Sequence, residues 1–165
     1  MVYAIATLNQ MSQADFVAAL GEVFEATPNI AHQAWLQRPF TDVDSLHGAM
    51  VNCVDAMSAS EKLALIQAHP DLGARVKMAE ASVKEQAGVG LDRLSAEEFE
   101  QFQLLNQRYK ERFGIPFIVA VKNHKKASIL ASFEHRLKHS PEAETAQALA
   151  EIKQIARFRL LDLVV

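Results

Sequence analysis

The chain has 165 residues, of which 50% are hydrophobic and 22% are charged, a balance that is ordinary for a globular protein and excludes a disordered or fibrous chain. Its 17 basic and 20 acidic residues give a net charge of −3, so no basic excess is available to bind nucleic acid. The length favours a single domain over residues 1–165, which can fold without a disulfide or a metal.

Several features bear on the compartment. The single cysteine, Cys53, cannot form an intrachain disulfide, which favours a reducing environment; we interpret it as a small buried side chain. A nucleophilic role for it would need a histidine partner. No stretch reaches the roughly 18 apolar residues of a membrane span, and residues 1–10 lack the basic start of a signal peptide. Residues 160–165 carry no peroxisomal tripeptide, so we expect a cytoplasmic protein that binds no membrane.

Helix signals dominate, beginning with the first quarter of the chain. Ser12 is a suitable N-cap for a helix to about residue 25, with apolar residues on one face. A short segment follows Pro28, and another helix starts at Thr41 or Asp44.

Two capping boxes predict further helix starts. Ser58 and Glu61 stand three residues apart, as do Ser95 and Glu98. Each serine can therefore cap the start of a helix, while its glutamate accepts a hydrogen bond from the backbone N–H of that serine. The first of these helices should stop near Pro70, because the residue before a proline avoids the helical conformation.

The last third of the chain contains one strand-like run, at 117–121, which is too short to build a sheet and predicts an extended buried segment or the start of a helix. Residues 127–137 are amphipathic, and Ser140-Pro141 starts a helix that runs to about residue 163. The pattern predicts an all-α, single-domain bundle of seven to eight helices.

His69 is a candidate catalytic residue. It stands at a predicted helix break and is followed by Pro70 and an aspartate-leucine-glycine turn, which would fix its position. A histidine can give or take a proton near neutral pH, although a purely structural role is the alternative.

Residues 82–90 offer a second candidate. If they are helical, Ser82, Glu85 and Gln86 share one face, where a hydroxyl, a carboxylate and a carboxamide can recognise a ligand rich in amide or urea groups. A solvated face is the alternative.

Arg159 is the third candidate. It continues an apolar stripe of the last helix with Ile152 and Ile155, and a buried guanidinium needs a carboxylate partner, either internal or on a substrate. Arg157 lies about 200° away around the helix and lines up with Lys153, which indicates a solvent-facing side.

Two basic features leave alternatives open. The run at 122–126 is either a solvated helix start or an anion-capturing element near an active site. His135 and His139 stand four residues apart, as two metal ligands could, but a basic helix end also complements the helix dipole. The chain has no glycine-rich phosphate loop and no zinc-type cysteine spacing, so we expect no metal site.

Five motifs follow one another in an order that is specific as a set. They are His69 to Gly73; Ser82 to Gln86 leading into Gly88 to Leu91; Leu105-Asn106 with Tyr109; Arg112 to Phe117; and Glu151-Ile152, Ile155-Ala156 and Arg159-Leu160. Over nearly its whole length the chain thereby resembles OHCU decarboxylase, the enzyme for 2-oxo-4-hydroxy-4-carboxy-5-ureidoimidazoline in urate breakdown.

The resemblance implies an all-α homodimer that releases carbon dioxide from this substrate and forms (S)-allantoin without a metal or an organic cofactor. The family's catalytic histidine falls on His69, its acidic partner on Glu85 and its arginine on Arg159. Its ligand contacts fall on Pro70, Ser82 and Gln86 and on the backbone of Phe117, Ile118, Val119, Ala120 and Val121.

The chemistry of this substrate agrees with these residue types. Decarboxylation leaves an electron pair that an adjacent ring carbonyl or imine accepts, so the enzyme needs only to orient the carboxylate, stabilise the anion and protonate one face. The alternatives are a non-catalytic helical interaction module and another ureide-metabolising enzyme, such as a hydrolase or a racemase.

Overall fold

The computed structural model describes residues 1–74 and 80–165, most of which are helical. The described α-helices are α1 (Ile5–Gln10), α2 (Gln13–Leu20), α3 (Asn29–Trp35), α4 (Val43–Asp55), α5 (Ala59–Gln67), α6 (Glu80–Gly88), α7 (Ala96–Phe113), α8 (Lys126–Arg136) and α9 (Pro141–Leu163). Within the described residues, Tyr3 and Val164 form an isolated β-bridge. The predicted all-α class is confirmed; α1, with no side-chain cap to reveal it, was not predicted.

The predicted N-caps account for most helix starts. Ser12 accepts a hydrogen bond from the backbone of α2, and both predicted capping boxes, at Ser58 and Ser95, form in full. For α4 the prediction was off by one or two residues: Asp42 is the cap, and it exchanges hydrogen bonds with Ser45. Capping side chains thus fix these boundaries locally.

Helix α2 ends at Leu20, earlier than the predicted residue 25. Gly21 follows it, and glycine is a poor helix former. The shorter helix leaves the carbonyl oxygens of Glu22 and Val23 without helical partners, and Arg159 donates to both, at 3.2 and 3.3 Å. A contact more than 130 residues away in sequence therefore replaces the last turn of the predicted helix.

The chain divides into two compact units, one of residues 1–68 with 153–165 and the other of residues 69–152. In the first unit, α3 packs on α2 and α4, and Phe16, Leu46 and Met50 are fully buried. The single domain over residues 1–165 stays a prediction. No described helix is long and apolar enough to cross a membrane.

The second unit has an aromatic core. The Phe117 and Phe133 rings stack with their centroids 3.7 Å apart, and the Tyr109 ring meets Phe117 edge-on at 5.2 Å. Residues 117–120 form neither helix nor strand, and every residue of 117–121 is buried, which matches the predicted buried segment rather than the alternative, the first turns of a helix. We call 117–121 the buried segment.

Candidate functional site

Most of the predicted site residues lie in the second unit. These are His69, Pro70, Ser82, Glu85, Gln86 and the buried segment, whereas Arg159 belongs to the first unit.

His69 lies two residues beyond the end of α5, at the predicted helix break, and is 9% exposed. The turn after it is fixed by two amide side chains. The Gly73 N–H donates to Oε1 of Gln86 at 3.0 Å, and Nδ2 of Asn106 donates to the Leu72 carbonyl at 2.9 Å. Since all four of these groups are buried, the turn that carries His69 is held from α6 and from α7.

Helix α6 confirms the geometry predicted for its three polar residues. Ser82 and Gln86 are buried and Glu85 is half-buried, whereas Val83 and Lys84, between them, are exposed. The hydroxyl, carboxylate and carboxamide therefore share the inner face of one helix.

The backbone N–H groups of the buried segment differ in their hydrogen bonding. Among the described residues, the N–H groups of Phe117, Ile118, Val119 and Val121 have no hydrogen-bond partner, whereas the Ala120 N–H donates to Glu151. Unpaired backbone donors in buried residues are rare because each costs the free energy of its lost hydration. Four such N–H groups lie on this one segment.

Arg159 points inward, as its position on the apolar stripe predicted, and is 4% exposed. Its Nη2 lies 3.1 Å from a carboxylate oxygen of Glu25, which is itself buried. The internal carboxylate that the sequence allowed is therefore present, and a role for Arg159 toward the substrate stays a prediction. Arg157 lies on another face and forms a 2.9 Å ion pair with Asp44 of α4.

The two basic features left open in the sequence have local partners. Lys126, at the end of the basic run, forms a 2.9 Å ion pair with Glu98, and His124 lies 3.0 Å from the Ser128 hydroxyl. The rings of His135 and His139 meet edge-on at 4.8 Å, and Nδ1 of His139 lies 2.9 Å from Glu144.

Sequence reasoning missed the residues that support the predicted site. Asn106 was noted as part of a motif, yet its hold on Leu72 could not be foreseen. Arg136, at the basic helix end between His135 and His139, was not singled out from the sequence, but it is 4% exposed. The signal was available, because Arg136 follows Ile129 and Phe133 on one stripe of α8, the same pattern that singled out Arg159.

A family model described as OHCU decarboxylase matches residues 9–161 of the chain. The chain belongs to the OHCU decarboxylase family. This confirms the predicted resemblance and identifies the protein as a decarboxylase rather than a non-catalytic helical module.

Named relatives agree with this family. The chain is 44% identical to the 2-oxo-4-hydroxy-4-carboxy-5-ureidoimidazoline decarboxylase of Halalkalicoccus jeotgali, over 96% of this chain and 90% of that protein. It is 45% identical to the protein of the same name from Haloferax volcanii, over 94% and 95%. It also matches the uric acid degradation bifunctional protein of Bacillus subtilis at 40% identity, over 99% of this chain and 33% of that protein.

Solved structures share the fold of the OHCU decarboxylase family described above. A crystal structure of (S)-allantoin synthase superimposes with a TM-score of 0.76 at 29% identity, over 97% of this chain and 54% of that one. A crystal structure of OHCU decarboxylase in the presence of (S)-allantoin gives a TM-score of 0.70 at 20% identity, over 92% and 97%.

Proposed function

We propose that this chain decarboxylates 2-oxo-4-hydroxy-4-carboxy-5-ureidoimidazoline to (S)-allantoin in urate breakdown, without a metal or an organic cofactor. Membership in the family supports the reaction. The structural observation that carries it is the set of N–H groups on the buried segment that have no hydrogen-bond partner within residues 1–74 and 80–165. These groups suit a substrate with a carboxylate, a ring carbonyl and a ureido group, all of which offer oxygen acceptors.

The reaction breaks the bond between a ring carbon and the carboxylate. Carbon dioxide leaves the ring carbon that also bears the hydroxyl, and the electron pair passes to the adjacent ring imine, giving an enolate-like anion. Protonation of the former imine carbon and loss of the hydroxyl proton then give the ring carbonyl of allantoin. Backbone N–H groups that already point at the developing charge stabilise it without having to reorganise. Arg159 is proposed to hold an anionic oxygen of the substrate.

Proton transfer is assigned to His69, with Glu85 setting its orientation. The fixed turn at Leu72 and Gly73 supports this assignment, because a proton donor must be held still to protonate one face of a planar anion. Pro70 keeps the backbone of this turn rigid, and Ser82 and Gln86, on the inner face of α6, are proposed to recognise the ureido group and ring amides.

The reaction type can be tested by product analysis. Purified protein incubated with freshly generated substrate should release carbon dioxide and form allantoin in equal amounts, and faster than a sample without protein. Release of urea or ammonia in place of carbon dioxide would instead identify a ureide hydrolase, the alternative within enzymes.

Removal of metals is expected to leave the activity unchanged, because the ring of the substrate itself accepts the electron pair. The protein should be dialysed exhaustively against a chelator and assayed in metal-free buffer. Loss of activity that a divalent ion restores would contradict this mechanism.

We propose a homodimer in the cytoplasm. The free thiol of Cys53 supports a reducing compartment. Light scattering after gel filtration is expected to give twice the 18.3 kDa mass of one chain across a range of protein concentrations. A single species of one-chain mass at all concentrations would contradict the dimer.

A further inference from the structure

A buried ionic cluster lies in the second unit. Glu144 is fully buried, and its carboxylate accepts hydrogen bonds from Nε of Arg136 at 2.9 Å and from the Tyr109 hydroxyl at 2.5 Å. Nδ1 of His139 lies 2.9 Å from the same carboxylate. Burial and the bond to Glu144 raise the pKa of Tyr109, so its hydroxyl stays a hydrogen-bond donor. With these partners in place, the Arg136 guanidinium is held in one orientation.

The other end of this guanidinium contacts the buried segment. Nη1 of Arg136 donates to the Ile118 carbonyl at 2.6 Å, and its guanidinium carbon lies 4.3 Å from the centre of the Phe117 ring. A buried ion pair is weak evidence for stability, because well-packed apolar residues often replace one without loss. Stability alone therefore does not explain why the Arg136 guanidinium contacts the buried segment.

A second charged side chain holds the same segment two residues further on. Oε2 of Glu151 accepts from the Ala120 N–H at 2.9 Å, and its other oxygen accepts from Gln147 at 3.0 Å. Arg136 and Glu151 thus fix two peptide groups that flank one residue, Val119.

Because each peptide group is planar and trans, these two contacts also set the direction of the Val119 N–H and C=O groups. The C=O and N–H of one peptide group point in opposite directions, so the Val119 N–H points away from Arg136, and the Val119 C=O points away from Glu151. Neither group of Val119 has a hydrogen-bond partner among the described residues.

We propose that Arg136 and Glu151 are positioning residues, which orient Val119 so that its N–H and C=O together bind an amide edge of the substrate. This inference rests on the proposed function. A ring amide or a ureido group carries an acceptor beside a donor, which is the complement of the two groups on Val119. Glu144 acts indirectly, because its carboxylate fixes the orientation of Arg136.

The test is placed at Glu151, which is half-buried, because an Arg136 variant removes the guanidinium that pairs with the buried Glu144 carboxylate and so endangers folding. Glu151→Ala removes the acceptor for the Ala120 N–H, whereas Glu151→Gln keeps an oxygen there. We expect Glu151→Ala to lower kcat/KM about fivefold, as the loss of one well-placed hydrogen bond does. Glu151→Gln should stay within about twofold of the parent, as should the control Glu134→Ala on the exposed side of α8.

Amide NMR supplies a readout that a merely structural role would not move. On addition of (S)-allantoin, the Val119 amide signal should shift in the parent and in Glu151→Gln, and much less in Glu151→Ala. Equal activity of Glu151→Ala and Glu134→Ala, or an unmoved Val119 signal in an active parent, overturns the positioning role alone. A parent that forms no (S)-allantoin overturns the proposed function itself.

Discussion

Replacement of His69 by alanine is expected to lower the rate of (S)-allantoin formation by about 10²- to 10⁴-fold, the usual effect of losing a positioned proton-transfer group. The fold should persist, because Gln86 and Asn106 hold the turn after His69 through backbone groups of Leu72 and Gly73. Since His69 is 9% exposed, His69→Asn serves as a second variant that leaves less empty space.

The matched control is His32→Asn, which removes an exposed imidazole from α3. Circular dichroism and thermal unfolding establish that all variants are folded, and the stereospecific rate is then compared at equal folded concentration. A folded His69→Asn or His69→Ala protein that makes (S)-allantoin at nearly the parental rate would remove His69 from the mechanism.

Replacement of Arg159 by glutamine is expected to lower kcat/KM at least tenfold, because a hydrogen bond to a charged group contributes about 1.5–3 kcal/mol. The same change removes the guanidinium that pairs with the buried Glu25, which costs stability as well, on the order of 3–5 kcal/mol. Activity and stability must therefore be separated.

The double variant Glu25→Gln with Arg159→Gln separates them, because it removes both buried charges. It should regain part of the stability while its kcat/KM stays at least about tenfold below that of the parent. Arg157→Gln is the surface control: its side chain is 38% exposed, and losing its ion pair with Asp44 should change kcat/KM less than about threefold. Recovery of activity in the double variant would show that Arg159 serves only Glu25.

Helix starts were predictable from the sequence because capping is local. The serine at the cap and the glutamate three residues later satisfy each other, so the boxes at Ser58 and Ser95 need no distant partner. The contact that satisfies the carbonyl oxygens after the end of α2 was not predictable, since Arg159 donates to them from the other end of the chain.

For the candidate site, too, local features were predictable from the sequence and distant contacts were not. Helical spacing placed Ser82, Glu85 and Gln86 on one face, and the apolar stripe turned Arg159 inward. The partners of these groups depend on tertiary contacts between residues far apart in sequence, such as the bond from Asn106 to Leu72. The orientation of Val119 depends on two such contacts at once and carries no mark in the sequence.

Optical activity of the product tests the central claim most directly. The protein is added to freshly generated 2-oxo-4-hydroxy-4-carboxy-5-ureidoimidazoline, and allantoin is followed by circular dichroism beside a sample without protein. Protonation in free solution favours neither face, so the sample without protein should show no signal. We expect the enzyme to produce a rapid signal of (S)-allantoin in proportion to its concentration; optically inactive allantoin, formed at the rate seen without protein, would contradict the account.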